Sequence, residues 1–491
     1  MIHRYRTPLF LLFVGVFFIT AGSVLFYAYG YRFSFERGIF IYTGSLSLKT
    51  NKETVAIKID GTLIPEKSLG LLNNSIHIAG LNPGEHMIEV GAPGYKPWTK
   101  KIVIQSGLTT EFWNIFLTEE NYAKEPVPAT EQVIKMFPAP NSLFATVKKN
   151  DIRYSVDVLD IGSEKNEEVF FTTEAVFLPD LETNVEWSPE SHKLIIPLMK
   201  DGESIYAVVT IKTQDVLYLN DATHIATPLH ATRWDATTKD ALFFLNQDTL
   251  YRYDTSRPEA KAVIIAEHVA AYDLSGNKLY YLSQENGFVY RINGNGNDNT
   301  NPEQVTPTSI TTDLNRPYSL IVYDDTRLSI LEKETGTLFV YNKKVTDRPF
   351  KELAQNIKNI QYSDDGKKLL FYSNNEISVY FNQDWEAQPF RALDSISQIA
   401  RFSTPIKNIQ WAEDYEHVIF SIGKSIKMME LDNRDRRNLS DLLTLDAAPL
   451  QLLSRFTTDT LYVVNETSPE TGTNNTVFSI TLPQYTTLFG L

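Results

Sequence analysis

Hydrophobic and polar positions alternate with different periods in different parts of the chain. The first stretch does not alternate at all. No charged residue stands between Arg6 and Arg32, and residues 8 to 29 read PLFLLFVGVFFITAGSVLFYAY. A helix of about twenty such residues, rising 1.5 Å per residue, spans the roughly 30 Å hydrocarbon layer of a bilayer. Tyr27, Tyr29 and Tyr31 cluster at its end, as an interfacial aromatic belt does. The pattern predicts a transmembrane helix over 8–30, between a tail at 1–7 and a juxtamembrane segment at 31–43. Ala28-Tyr29-Gly30 has the small-x-small form of a cleavage site, but the apolar run is longer than a signal-peptide core. An uncleaved single-pass anchor is the expectation. His3, Arg4 and Arg6 precede the helix, while Arg32 and Arg37 follow it with Glu36 among them. This modest bias puts the N-terminus in the cytoplasm and the bulk outside it, periplasmic or at the cell surface.

From 44 to 118 the period becomes two. Gly44 to Thr50 alternates apolar and polar residues, and so does Val55 to Ile59 before the turn Asp60-Gly61. Ser75 to Ile78, Glu85 to Val90, Lys101 to Ile104 and Phe112 to Leu117 continue the series between Gly- and Pro-bearing turns. Six or seven short strands in 75 residues predict a small β-sandwich. The strand ending Ile59-Asp60-Gly61, the turn Gly80-Leu81-Asn82-Pro83-Gly84-Glu85-His86, and Gly94-Tyr95 before Trp98 resemble the PEGA domain. That family is a β-sandwich module of bacterial and archaeal surface proteins. The segment Pro65 to Asn74 is longer than the family's loop, and Asn82-Pro83-Gly84-Glu85 stands where the name-giving stretch would be. The resemblance implies a spacer or attachment role at a prokaryotic surface and brings no reaction with it.

Residues 119–130 (EENYAKEPVPAT) are charged and proline-bearing and read as a linker. Beyond them one pattern returns: an aromatic residue, a polar turn, then two apolar strands joined by a tight turn. The clearest copies are Trp187-Ser-Pro-Glu-Ser-His-Lys-Leu194, Tyr272-Asp-Leu-Ser-Gly-Asn-Lys-Leu279, Tyr362-Ser-Asp-Asp-Gly-Lys-Lys-Leu369 and Trp411-Ala-Glu-Asp-Tyr-Glu-His-Val418. Trp234 opens a copy one residue longer, Phe137 opens the series, and Tyr318 and Phe456 mark degenerate copies. The anchors 137, 187, 234, 272, 318, 362, 411 and 456 lie 38 to 50 residues apart. A period in the forties with about four strands per unit predicts an all-β propeller over 131–485, of eight blades with seven as the alternative. A two-sheet sandwich or a β-solenoid is the competing architecture. The Trp-Ser-Pro-Glu and Tyr-Ser-Asp-Asp-Gly-Lys-Lys turns resemble the propeller repeats of the TolB family, a likeness shared by propellers of many functions.

Composition narrows the chemistry. The 491 residues include 43% hydrophobic and 12% aromatic positions, enough for a large β core. A net charge of -14 argues against nucleic acid as a partner. The absence of cysteine removes disulfides, thiol catalysis and Cys-ligated metals. The eight histidines include no His-Glu-x-x-His pair, so no metal site is expected. Gly423-Lys424-Ser425 looks like the end of a phosphate loop, but Val418 stands where its first glycine belongs and a strand follows. No Gly-x-Ser-x-Gly elbow exists. Asn293 to Asn301 alternates asparagines with one aspartate, too little charge for calcium, and reads as a loop.

The expectation is a non-enzymatic binding or scaffold protein of the cell envelope, without a cofactor, whose propeller engages an unknown envelope protein or glycan. The alternative is a propeller-based glycan-active enzyme using carboxylates that converge at the channel mouth. A signalling receptor is disfavoured, because the tail is too short for an effector domain. The repeated aromatics are expected to pack between blades. Asp235, Asp273, Asp364 and Asp414, in the turns beside them, are expected to ring one face with negative charge and attract a cationic partner.

Overall fold

In the computed structural model, the described residues are 6–34, 38–65, 75–178, 185–293, 302–310, 313, 316–466 and 475–484. Most of the 65–74 insertion and of the 293–301 asparagine loop falls outside them. Among the described residues the chain is mostly β, with one long helix, Arg6–Ala28, of which Pro8–Ala28 is long and apolar enough to cross a membrane, and one short helix, Leu219–Thr223. From Pro8 onward the long helix's side chains are mostly exposed. The juxtamembrane segment is a hairpin: Tyr31–Ser34 pairs antiparallel with Ile39–Tyr42. Phe26 of the helix packs on Tyr31, ring centres 4.5 Å apart, and Tyr31 stacks on Tyr42 at 4.9 Å. Tyr42 in turn lies over Gly107, where φ is +72° and a Cβ would stand 2.3 Å from the Tyr42 ring. Only glycine fits there.

Residues 44–115 form two facing sheets. Ser75–Leu81, Gly44–Thr50 and Thr109–Ile115 make one, with Gly44–Thr50 and Thr109–Ile115 running parallel. Thr62–Leu63, Ala56–Ile59, Gly84–Gly91 and Trp98–Ile104 make the other. The alternation read from the sequence places Leu46, Leu48, Ile57, Ile59, Ile88, Val90 and Phe112 in the shared core.

Eight antiparallel sheets follow, each a meander whose first strand lies innermost. Both faces of each sheet are buried, so the strands read as near-continuous apolar runs. In Lys193–Lys200, Leu194 and Ile196 pack against the first sheet while Ile195 packs against the third. The same arrangement joins every consecutive pair. Tyr462, Val464 and Val477 of the eighth sheet then meet Val133, Met136 and Phe144 of the first. Glu125–Pro126 adds the outermost strand to the eighth sheet, beside Thr476–Thr481.

That pairing changes the reading of 119–130. The stretch is no free linker: Tyr122, Val127 and Thr130 are buried, and its backbone is held in the last sheet. Charge and proline signalled a loop, but the missing edge of the eighth sheet supplied hydrogen bonds that a sequence window cannot see.

The repeated aromatics lie between sheets. The Trp187 indole donates to the Phe137 carbonyl at 3.0 Å, Trp234 to Glu186 at 3.1 Å, and Trp411 to Gln361 at 3.2 Å, each bridging to the preceding sheet. The Tyr272 hydroxyl reaches the Ala231 carbonyl in the same way. Tyr318 and Phe456 do not hold this position. Tyr318 starts its strand and bonds locally to the Asp313 carbonyl, and Phe456 sits in a 3-10 turn. Ile321 and Ser454, seven residues before Leu328 and Leu461, stand where the anchors belong.

Candidate binding face

In an antiparallel meander, the turn between the first two strands and the connection between the last two emerge on the same side. Each of the four expected aspartates lies at or near a turn of the first kind, so all belong to this one face, here called the turn face. They do not form an acidic ring. Asp235 is 4% exposed. Its Oδ1 accepts from the Thr237 amide at 2.9 Å and the Thr237 hydroxyl at 2.7 Å, and Oδ2 pairs with Arg252 at 2.9 Å. Burial opposes its charge, but these donors outweigh burial and hold its pKa below the usual range. Asp273 is buried inside its strand, where burial pushes its pKa up against the pull of Arg233 and the Val322 amide. Asp414 caps its turn through the amides of Glu416 and His417, at 2.9 and 3.0 Å, and meets His417 Nδ1 at 2.6 Å. Burial disfavours its charge, yet the neighbouring His417 holds its pKa low. Only Asp364 is exposed. Asp235 and Asp414 therefore satisfy donors of their own turns, as short acidic side chains do, while Asp273 is held by Arg233 and the Val322 amide of the neighbouring sheets.

Much of the turn face over the sixth and seventh sheets is covered by the chain's own β-sandwich. Lys100, fully buried, pairs with Glu430 at 2.6 Å and donates to the carbonyls of Asp432 at 3.0 Å and Arg436 at 2.7 Å. The Trp98 indole donates to Glu430 Oε2 at 2.9 Å. Gln388, in the last connection of the sixth sheet, accepts from the Trp113 indole at 3.1 Å through its carbonyl and donates to the Thr109 carbonyl at 3.0 Å. Trp113 packs on Trp385 at 5.5 Å, and the Arg434 guanidinium lies 3.7 Å over the Phe112 ring. Lys368 pairs with Glu416, whose pKa burial nonetheless pushes up to about 7. Sequence reasoning missed this seam, although it carried a signal. In Trp98–Ile104 the inward parity is Trp98, Lys100, Ile102, Ile104, and a lysine among apolar inward positions demands a buried acidic partner.

A second cluster joins three neighbouring sheets. Glu186, Arg233 and Asp273 stand on the innermost strands of the second, third and fourth sheets. Arg233 Nε is 3.8 Å from Glu186 Oε1, its Nη1 bonds Asp273, and Asp273 Oδ2 accepts from the Val322 amide of the fifth sheet at 2.7 Å. The Glu186 side chain keeps 31% of its surface open, but protein surrounds it, and that burial pushes its pKa up to about 7. Burial and the Lys333 charge lower the pKa of nearby His230. Among the described residues, no group of three His, Asp or Glu is placed to hold a metal ion.

The Gly423-Lys424-Ser425 segment is a hairpin turn between His417–Ile422 and Ser425–Glu430. No family model matches this chain, and no curated protein does. Solved structures similar to it are β-propellers. The Dos1 propeller shares 12% identity at a TM-score of 0.48, covering 73% of this chain and 95% of that one. Sqt1 of Saccharomyces cerevisiae shares 11% at 0.44, covering 74% and 98%. A eukaryotic initiation factor shares 15% at 0.45, covering 75% and 91%.

Proposed function

We propose that this chain is a single-pass, membrane-anchored, non-enzymatic binding or scaffold protein. In this reading the apolar helix anchors it, with the N-terminus cytoplasmic and the bulk in the envelope. A PEGA-like module joins the anchor to an eight-bladed propeller that engages a protein or glycan partner. The carrying observation is the buried seam around Lys100. A charge buried across a domain interface resists separation, because parting the pair leaves each ion desolvated alone. Together with the Phe26–Tyr31–Tyr42 stack, it holds the propeller in one attitude to the helix, which suits presentation of a face rather than a tethered, tumbling module. Exposed Phe33, Ile39 and Phe40 of the hairpin fit the headgroup region beside the helix. The part of the turn face left uncovered, with exposed Asp364, is the proposed contact surface.

The test is capture of partners from the native envelope by residues 44–491, compared with the same protein carrying Asp364→Asn and neighbouring turn-face substitutions. Specific capture reduced by those changes supports the reading; capture indifferent to the whole turn face overturns the choice of face. The Glu186–Arg233–Asp273 row favours a second reading, a glycan-active enzyme, since ionisable groups from three sheets converge there. Asp273 is already engaged by Arg233 and Val322, leaving Glu186 as the one carboxyl near neutrality. Glycan turnover abolished by Glu186→Gln would establish that reading in place of the first.

A further inference from the structure

Between the seventh and eighth sheets the turn face holds a small hollow. Its walls are apolar: Phe116 of the segment leading out of the sandwich, Ala412, Met428, Phe456, Leu482 and Pro483. Its polar lining is Glu413, Asp414, Ser454, Asp459 and Thr460, whose hydroxyl donates to the Thr458 carbonyl at 2.9 Å, and the free interior is about 30 Å³. That is room for a group the size of one or two waters, not for a sugar ring. Asp459 is 7% exposed, and its Oδ2 is buried with no hydrogen-bond donor. The Ser454 hydroxyl oxygen is likewise buried and unpartnered. Glu413 is hydrogen-bonded to Asp459 through a shared proton, which leaves the pair one negative charge and Asp459 Oδ2 still without a donor. Asp414 is committed to His417 and its own turn. The lining does include a cation, Arg455, but its guanidinium turns away. It donates to the carbonyls of Asn141 and Ser142 in the first sheet and lies over the Phe144 ring.

A buried carboxylate oxygen and a buried hydroxyl, both unpartnered, need donors, and the carboxylates around them need positive charge. A guanidinium is planar and large for the space. A primary ammonium is compact, carries three donors, and arrives on an apolar stem that suits the hydrophobic walls. We propose that this hollow is a binding site for a primary ammonium on an alkyl chain, held by Asp459, Glu413 and Ser454. The ammonium comes from a lysine side chain of a partner or from a free amine. The inference rests on the binding reading above and gives it a recognition chemistry.

The experiment uses the full chain in detergent and titrates it with n-butylamine, the isosteric n-butanol, and a lysine-bearing peptide with its norleucine counterpart, followed by calorimetry. Butylamine should saturate and butanol should not. Asp459→Asn should weaken butylamine about tenfold or more, the loss expected when one charge-assisted bond goes. Asn tolerates the left-handed backbone at this position, where φ is 48°, so the variant is expected to fold. Ser454→Ala, which removes no charge, should weaken it by a smaller factor. A lysine peptide binding more tightly than butylamine, with its norleucine counterpart silent, identifies the ligand as a side chain; equal affinities identify a free amine. Equal binding of butylamine and butanol, binding unaffected by Asp459→Asn, or no saturation by any amine overturns the site. Envelope capture that survives Asp459→Asn while butylamine binding is lost leaves the wider binding role standing and places its macromolecular partner elsewhere on the face.

Discussion

Two acidic patches share the turn face, a few strands apart, and the chain treats them in opposite ways. Under the sandwich, Glu430 is met by Lys100 and by the Trp98 and Asn438 donors, so a buried carboxylate becomes the clasp between two domains. Beside it, Glu413 and Asp459 crowd each other in a hollow whose nearest guanidinium is turned away. Burial and the neighbouring Asp459 and Asp414 push the Glu413 pKa up to about 8. The difference lies in supply. Where the chain lays down its own cation, the propeller's acidity is spent internally; where it does not, the acid holds a proton and is open to an outside cation.

The largest expected effect breaks the first half of that comparison. Lys100→Met leaves Glu430 buried without its countercharge and should cost about 3–5 kcal/mol in denaturant unfolding, with the sandwich becoming protease-sensitive. Lys100→Met combined with Glu430→Gln should recover most of it. A loss below about 1 kcal/mol would mean that the seam is a passive contact.

Asp235→Asn comes next. It keeps the shape of the turn but takes the charge from Arg252, and should cost about 1–3 kcal/mol in the same measurement. No loss of stability would return Asp235 to the pool of residues available for binding.

The third prediction sharpens the second half of the comparison through pH. A carboxyl whose folded pKa is raised binds its proton more tightly in the folded state than in the unfolded one. Its contribution is therefore fully present below the unfolded value near 4.5 and is lost as pH rises through about 8. Thermal unfolding of the native chain should weaken between pH 5 and 9, and Glu413→Gln should flatten that slope, the variant being the more stable of the two at pH 9. An unchanged slope would show that Glu413 and Asp459 do not share a proton.

Asp364→Asn should have the smallest effect, within about 0.5 kcal/mol, because its carboxylate is exposed. A larger loss in unfolding would make Asp364 a turn cap like Asp235 and Asp414, and remove the last of the four from the proposed face.

Much of this architecture is local and was legible for that reason. An apolar run of helical length, a period of two across 44–118, and aromatics seven residues ahead of apolar strands all record which face of an element is buried, and burial is written into each residue's polarity. Trp187, Trp234, Tyr272 and Trp411 were readable as packing residues because their place in each repeat is constant. Tyr318 and Phe456 misled because an aromatic near the right spacing is not evidence of the right register, and Ile321 and Ser454 carry no mark of the role they occupy. The fate of the acidic turn residues could not be read, since Asp235 and Asp364 occupy comparable turns and differ only in whether a threonine and an arginine fold back on them. Nor could the destination of 119–130, whose strand is completed by Thr476–Thr481 some 350 residues later. The sequence by itself determined the elements, their period and the apolar faces that make the sheets stack, because those depend on neighbours a few positions away. Only the tertiary structure decided which charges meet, that Lys100 reaches Glu430 and that no cation among the described residues reaches Asp459 Oδ2, because electrostatic partners are chosen by distance in space and the chain order places no limit on it.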